Sequence, residues 1–218
     1  MSSMFSDLGL HEAILLLPEI TMLSGIVALI LIPNLGDATM RIPLTRIRVP
    51  VLIGGTRFDF TSNPRLPNHV TNAVLFLAFF YAALLLNPTN LSEYSLEGGP
   101  GIGNLLVVDE FSRVFTLLFT SALLLASMAT ATRMPAMHDV TIPQESDSPE
   151  TADSKVMALI DNRRQVDFHI LLLTTGLGMS LMAMANNLFM LFVCLELASL
   201  SSYILVAFHK EVDVGGEA

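Results

Sequence analysis

Apolar positions along this chain gather into five long runs, separated by segments rich in polar residues, proline and glycine. A helix that crosses a bilayer needs about 20 mostly apolar residues, because the hydrocarbon layer is roughly 30 Å thick. The runs at 13–32, 70–86, 111–130, 168–185 and 188–208 meet or approach that length. The first ends at Pro33, and the second stops before Asn87-Pro88. Only Asn186-Asn187 separates the last two, which predicts a tight helical hairpin. The pattern therefore predicts an all-α membrane protein of about five transmembrane helices. Its organisation reads as an N-terminal segment with the first span (1–33), a loop (34–69) and the second and third spans (70–130). An acid-rich loop (131–167), the hairpin (168–208) and a tail (209–218) follow.

The first run does not read as a cleaved signal peptide. Asp7 and Glu12 stand where a basic segment belongs, and no small-residue cleavage pattern follows at the right distance. No Arg-rich presequence is visible either. Orientation follows from the bases, which collect on the cytoplasmic side of short loops. Arg41, Arg46, Arg48, Arg57 and Arg65 fall in the first loop, and Arg133, Lys155, Arg163 and Arg164 in the second. With Lys210 in the tail, ten of the eleven bases lie on one side, and Arg113 is the exception. Five spans then put the N-terminus outside and the C-terminus on the cytoplasmic or matrix side.

Composition removes most other classes. Hydrophobic residues make up 52% and charged residues 14%, against roughly 25% charged in a soluble domain. A net charge of −9 argues against a nucleic-acid surface. The single cysteine, Cys194, has no internal disulfide partner and lies in an apolar run. None of the five histidines has a metal-ligand spacing to a carboxylate or to Cys194, and no hydrolytic constellation is present. In the first loop, RVPVLIGGTRFDF reads as a short apolar strand or hairpin turning at Gly54-Gly55. The run IPQESDSPETADSK in the second is too polar to bury a core and is expected to be mobile or to lie on a soluble partner. Gly99-Pro100-Gly101-Ile102-Gly103 lacks the strand and helix of a phosphate cradle and reads as a loop.

An acid near mid-membrane costs about 2.5 to 3.5 kcal/mol on insertion scales, so each one calls for a reason. Glu196 is the ninth residue of the fifth run and its only charge. On a helix it shares a face with Ser199 and Tyr203, and Ser202 lies nearby. Such a stripe serves either as a proton relay or as hydrogen-bonding glue to a neighbouring helix. Glu19, after Pro18, is open to a packing or a functional role beside a helix kink. Asp109, Glu110 and Asp167 mark span edges and read as interfacial. His169, at the start of the fourth run, reads as an interfacial histidine with a possible relay role. Thr174, Thr175, Gly176, Gly178 and Ser180 give that run a small face suited to close helix contact.

The segment from Asp167 to Lys210 resembles the N-type (subunit 2) antiporter-like membrane subunit of NADH–quinone oxidoreductase, respiratory complex I. Asp167-Phe168-His169, Leu177-Gly178-Met179, Ala185-Asn186-x-Leu188 and Leu195-Glu196-Leu197-x-Ser199-Leu200-x-x-Tyr203 carry the resemblance. Leu17-Pro18-Glu19-Ile20 and Val107-Val108-Asp109-Glu110-Phe111 extend it upstream. It implies a membrane-arm role in redox-driven proton pumping, with Glu196 as the intramembrane glutamate that the family pairs with a lysine further along. It also implies a non-redox subunit, not catalytic alone, with NADH, flavin, iron–sulfur clusters and quinone held by other subunits and no cofactor in this chain.

Three departures stand out: Asn187 where the family commonly has Asp, a longer acidic loop, and a chain that stops after five spans. The family has many more spans, and its intramembrane lysines lie beyond Ala218. The expected partners are therefore other membrane-arm subunits, the lipid bilayer and a second chain carrying the remaining spans; a fragment of a longer subunit is the other expectation. The membrane is mitochondrial inner or bacterial or archaeal plasma membrane. A structural scaffold without pumping is the different-class reading, and a subunit of a related hydrogenase or cation–proton antiporter complex is the neighbouring one.

Overall fold

The computed structural model describes residues 10–34, 39–41, 48–50, 66–86, 101–102, 105–133 and 148–208. These form helices α1 (Leu10–Leu15), α2 (Leu17–Asn34), α3 (Leu66–Leu85), α4 (Glu110–Arg133), α5 (Pro149–Ala183) and α6 (Leu188–Phe208). Short strands β1 (Thr39–Arg41) and β2 (Arg48–Pro50) pair antiparallel, as do β3 (Gly101–Ile102) and β4 (Leu106–Val107). The protein is an all-α membrane protein. Among the described residues, four helices are long and apolar enough to cross a bilayer: Leu66–Leu85, Glu110–Thr130, Gln165–Ala183 and Leu188–Ala207.

The first predicted span is shorter than its run of apolar letters. It divides at Leu16 into α1 and α2, and its apolar helix covers Leu17–Leu31. Pro18 explains the break, because proline has no N–H to donate to the preceding turn and is tolerated only at a helix start. The new helix closes its first turn with Ile20 N–H donating to the Leu16 carbonyl at 2.9 Å.

The fourth run gives a helix much longer than predicted. α5 has 35 residues, about 52 Å at roughly 1.5 Å per residue, and its apolar part begins only at Gln165. Much of the acid-rich segment read as a loop, from Pro149 onward, is therefore helix continuous with the span. The start signal is local. Ser148 adopts an extended conformation and accepts from Thr151 N–H, Pro149 occupies the first turn, and Glu150 complements the positive helix end. Residues 142–147 lie outside the described residues, as do Gly54 and Gly55. The strand read near those glycines is present as β2, paired with the upstream β1. Gly101-Ile102, read as loop, pairs with Leu106-Val107.

α5 is the hub of the bundle, packing against α2, α3, α4 and α6, while α3 packs on α2 and α4. The core joins Met22 and Leu29 of α2, Leu75 and Ala78 of α3, Leu123 of α4, and Leu172, Leu173 and Leu177 of α5. Hydrophobic attraction between helices is weak in lipid, so close van der Waals contact through small residues has to hold them. Gly178 shows this most clearly. A Cβ there would lie 2.8 Å from the Ala198 backbone nitrogen and 3.0 Å from its Cα. α5 and α6 thus touch backbone to backbone. A methyl at Gly176 would overlap the Leu123 side chain, and one at Gly25 would overlap Val74.

At one end of the bundle the strands tie the helices together. Val107 N–H donates to the Met184 carbonyl at 2.8 Å, and Asn186 N–H to the Leu105 carbonyl at 2.9 Å. Leu15, Leu106, Val108 and Met184 form a second apolar cluster under this clasp. Both helices that start here carry side-chain caps. Asp109 Oδ1 accepts from Ser112 N–H at 2.8 Å while Ser112 Oγ accepts from Asp109 N–H at 3.0 Å. Asn187 Oδ1 accepts from Met190 N–H at 2.7 Å.

Gly178→Ala is expected to push α6 from α5 and destabilise the protein by about 1 to 3 kcal/mol, the usual cost of overpacking. Ala122→Leu, on an exposed face of α4, is expected to stay within about 0.5 kcal/mol. Denaturant unfolding in mild detergent, followed by circular dichroism, measures both. Equal stabilities for the two variants would show that the backbone contact does not hold the helix pair.

Candidate functional site

α6 is so uniformly apolar that only its few polar residues distinguish its faces. Cys194 is 1% exposed and Ser201 6%, and with Ala198 and Leu205 they mark the side turned to α5 and the core. At about 100° per residue, Glu196 and Tyr203 project to the opposite side. Tyr203 is 70% exposed, whereas Glu196 and Ser199 are half-buried. The hydroxyls of the stripe bond to their own helix: Ser199 Oγ donates to the Leu195 carbonyl at 2.7 Å, and Ser202 Oγ to the Ser199 carbonyl at 2.9 Å. Among the described residues, no group hydrogen-bonds to the Glu196 carboxylate. The structure keeps Glu196, Ser199 and Tyr203 on one face of α6, and the hydrogen bonds of Ser199 stay within that helix.

Glu19 has the opposite environment. It is 3% exposed, and its Oε1 accepts from Thr116 Oγ1 of α4 at 3.4 Å. Its other oxygen, Oε2, has no hydrogen-bond partner. Pro18 turns the chain into α2 just before it, so the kink aims this carboxyl at α4 rather than outward.

His169, expected at the membrane edge, is 1% exposed. The physical reason is the length of α5: the helix has run well past its start before His169, which lies inside the apolar window Gln165–Ala183. Phe168 meets its ring edge-on at 5.4 Å between centroids, and Nδ1 has no partner. Neither Glu19 nor His169 shares a recorded contact with Glu196. Asp109, read as interfacial, is exposed and caps α4.

Sequence reasoning missed the inward face of α4. Ser112, Thr116, Thr120 and Ser127 are at most 2% exposed, and Arg113 is 7% exposed. Their spacing was the available signal, because hydroxyls at 112, 116 and 120 repeat every four residues on one helix face. No group of three or more His, Cys, Asp or Glu able to hold a metal occurs among the described residues.

No family model and no solved structure matches the chain. Curated relatives do. NADH-quinone oxidoreductase subunit N of Gluconacetobacter diazotrophicus is 50% identical over 52 residues, covering 24% of this chain and 11% of that protein. Subunit N 2 of Syntrophobacter fumaroxidans is 32% identical over 111 residues, covering 51% of this chain and 18% of the relative. Subunit N 2 of Koribacter versatilis is 27% identical over 128 residues, 57% of this chain and 20% of the relative. The matched stretches thus span a fifth or less of those relatives' lengths. Over that part of its length, the chain is similar to the N-type subunit of NADH–quinone oxidoreductase, and the resemblance read from its residues holds.

Proposed function

We propose that this chain is a membrane-arm subunit of a proton-pumping NADH–quinone oxidoreductase and that Glu196 is its proton-carrying group. The observation that supports the reading best is the Glu196–Ser199–Tyr203 face. A carboxyl is held half-buried at mid-span by an otherwise apolar helix, on the side away from its own bundle. Facing hydrocarbon it would cost about 2.5 to 3.5 kcal/mol. Facing a further set of helices with a basic group it becomes one end of a proton path. That set of helices is carried by a second chain, or by further sequence of the same subunit, seated on the outer face of α6.

In this arrangement Glu196 takes up and releases a proton as the charge on its partner base changes. Ser199 and Tyr203 supply hydroxyls along the same face for water to bridge. NADH, flavin, iron–sulfur clusters and quinone belong to other subunits of the assembly, so this chain moves protons and carries no electrons. The one-sided distribution of bases puts the N-terminus outside and Lys210 on the cytoplasmic or matrix side. The membrane is a mitochondrial inner membrane or a bacterial or archaeal plasma membrane.

Asn187 fits the reading as well. Asparagine and aspartate cap helices equally, and Asn187 caps α6. A family aspartate at that position would be replaced here without loss of the structural role.

Glu196→Gln keeps shape and hydrogen bonding but cannot carry a proton. In membrane vesicles holding the whole complex, it is expected to reduce NADH-driven proton translocation by about tenfold or more, with Glu196→Asp retaining part of it. Unchanged pumping in Glu196→Gln would make the chain a scaffold. A native gel of mild-detergent membrane extract, stained for NADH dehydrogenase activity, tests the assembly. The active band is expected to contain a chain near 23.7 kDa together with the remaining spans; migration away from that activity would sink the assignment.

A further inference from the structure

Close contacts between the helices fix their relative depths in the bundle. A Cβ at Gly176 of α5 would meet Leu123 of α4 and Met22 of α2, and one at Gly25 of α2 would meet Val74 of α3. Leu15, Leu85, Val108 and Met184 lie together under the clasp, so α2 and α4 lead away from it while α3 and α5 lead towards it. Depths then follow from a rise of roughly 1.5 Å per residue. Ser127 is four residues past Leu123, so it lies about 6 Å farther from the clasp than the Gly176 layer. Thr71 is three residues before Val74, which is level with Gly25, itself three past Met22; that places it about 9 Å beyond the layer. His169, seven residues before Gly176, lies about 10.5 Å beyond it. The three residues thus fall within about one helical turn of each other in depth.

Each also faces the interior. His169 is two turns from Gly176 on the same side of α5, and Ser127 is one turn from Leu123 on the side of α4 that meets α5. Thr71 is in line with the core residues Leu75 and Ala78 of α3. Thr71 and Ser127 are 0% exposed and His169 is 1% exposed. Thr71 Oγ1, Ser127 Oγ and His169 Nδ1 have no hydrogen-bond partner. Other buried or half-buried hydroxyls, those of Thr21, Thr120, Thr174, Thr175 and Ser180, donate to the carbonyl four residues back. Thr71 and Ser127 forgo that bond. Because α3, α4 and α5 pack on one another, three unpartnered groups converge on one layer of the core.

The chemistry of the layer selects what completes it. A hydroxyl both donates and accepts, and an imidazole nitrogen does one or the other according to its tautomer. Among the described residues no charge faces the layer: Asp167 and His69 are exposed, Glu19 and Arg113 lie towards the clasp, and Glu196 is on the other side of α6. A cation would find no carboxylate there and an anion no base. The ligand that fits is small and neutral, donates as well as accepts, and takes two to four partners, which describes a buried water. We propose that Thr71, Ser127 and His169 form one water-binding site in the core. It joins α3, α4 and α5 through hydrogen bonds, where the Gly176 layer joins α2, α4 and α5 by close packing. The site is separate from Glu196 and stands whether or not that carboxyl carries protons. The competing account is three unrelated bare groups in a dry core.

Water-edited solid-state NMR of the full chain in lipid bilayers, labelled with ¹⁵N-histidine and ¹³C-methyl methionine, tests for the water. The His169 ring signal is identified by its loss in His169→Gln. It is expected to gain magnetisation from water nearly as fast as exposed His69 and several-fold faster than the Met22 methyl, which is buried in the apolar core. A His169 signal as slow as that of Met22 would overturn the proposal. Denaturant unfolding in mild detergent tests the sharing. Thr71→Val and Ser127→Ala are each expected to lower the unfolding midpoint, and the double variant to lower it by less than the sum, because groups with a common partner are not additive. A midpoint raised by Thr71→Val would mean a bare hydroxyl in a dry core, and additive shifts would mean separate groups; either result refutes the shared site.

Discussion

Lipid offers no hydrogen bonds, and nearly every feature of this bundle follows from that. Backbone groups satisfy themselves by forming helices. Most of the hydroxyls do the same, by bonding back to their own helix: Thr21 to Leu17, Thr120 to Thr116, Thr174 to Ile170, Thr175 to Leu171, Ser180 to Gly176 and Ser201 to Leu197; the buried hydroxyls of Thr71 and Ser127 have no partner. A hydroxyl bonded in this way is cheap to bury and says little about function. Carboxyl, guanidinium and imidazole groups have no such local remedy. Glu19, Arg113, His169 and Glu196 are the residues in the spans whose presence needs another explanation, and three of the four leave a buried atom unpartnered.

The same solvent decides how the helices pack. With lipid tails as apolar as leucine, burial alone does not favour helix contact over lipid contact. Contact is won by close approach, and close approach needs small residues. α5 concentrates them at Thr174, Thr175, Gly176, Gly178 and Ser180, and it is the most buried of the long apolar helices. α6 offers Cys194, Ala198 and Ser201 to that surface and is the least buried. Its outer face, with Phe192, Leu200, Tyr203 and Ile204 all more than half exposed, is an edge of the bundle.

Much of this was legible in the sequence because the period and length of apolar runs report directly on lipid. The last four spans fall close to where the letters place them. The small face of α5 was readable from Gly176 and Gly178. The helical extension of α5 was not, because acid-rich composition describes solvation and not backbone conformation. Ser148-Pro149-Glu150 carried the start signal inside a stretch judged by its average. The site was legible in part. Glu196 announced itself as a lone charge in an apolar run, and its stripe with Ser199 and Tyr203 follows from helical spacing. That Glu19 turns inward to Thr116 while Glu196 turns outward depends on which face each helix buries, and that depends on pairings between distant segments.

The two carboxyls therefore make different demands on the fold. Glu19 has a partner inside the bundle, the Thr116 hydroxyl of α4. Glu196 is half-buried and has no hydrogen-bond partner for its carboxyl among the described residues. A membrane protein that left a mid-span carboxyl against hydrocarbon would lose a sizeable part of a stability that is only about 5 to 15 kcal/mol in total. The cost falls away once a polar helix covers the face, and it does so only for a helix with a group complementary to Glu196. An apolar helix docked there would leave the carboxyl buried and unpaired. The core formed by α2, α3, α4 and α5 does not depend on that cover, because its apolar contacts close among themselves. On the proposed reading, α6 is the element that needs a neighbour outside these helices, and Glu196 sets what kind of neighbour that is.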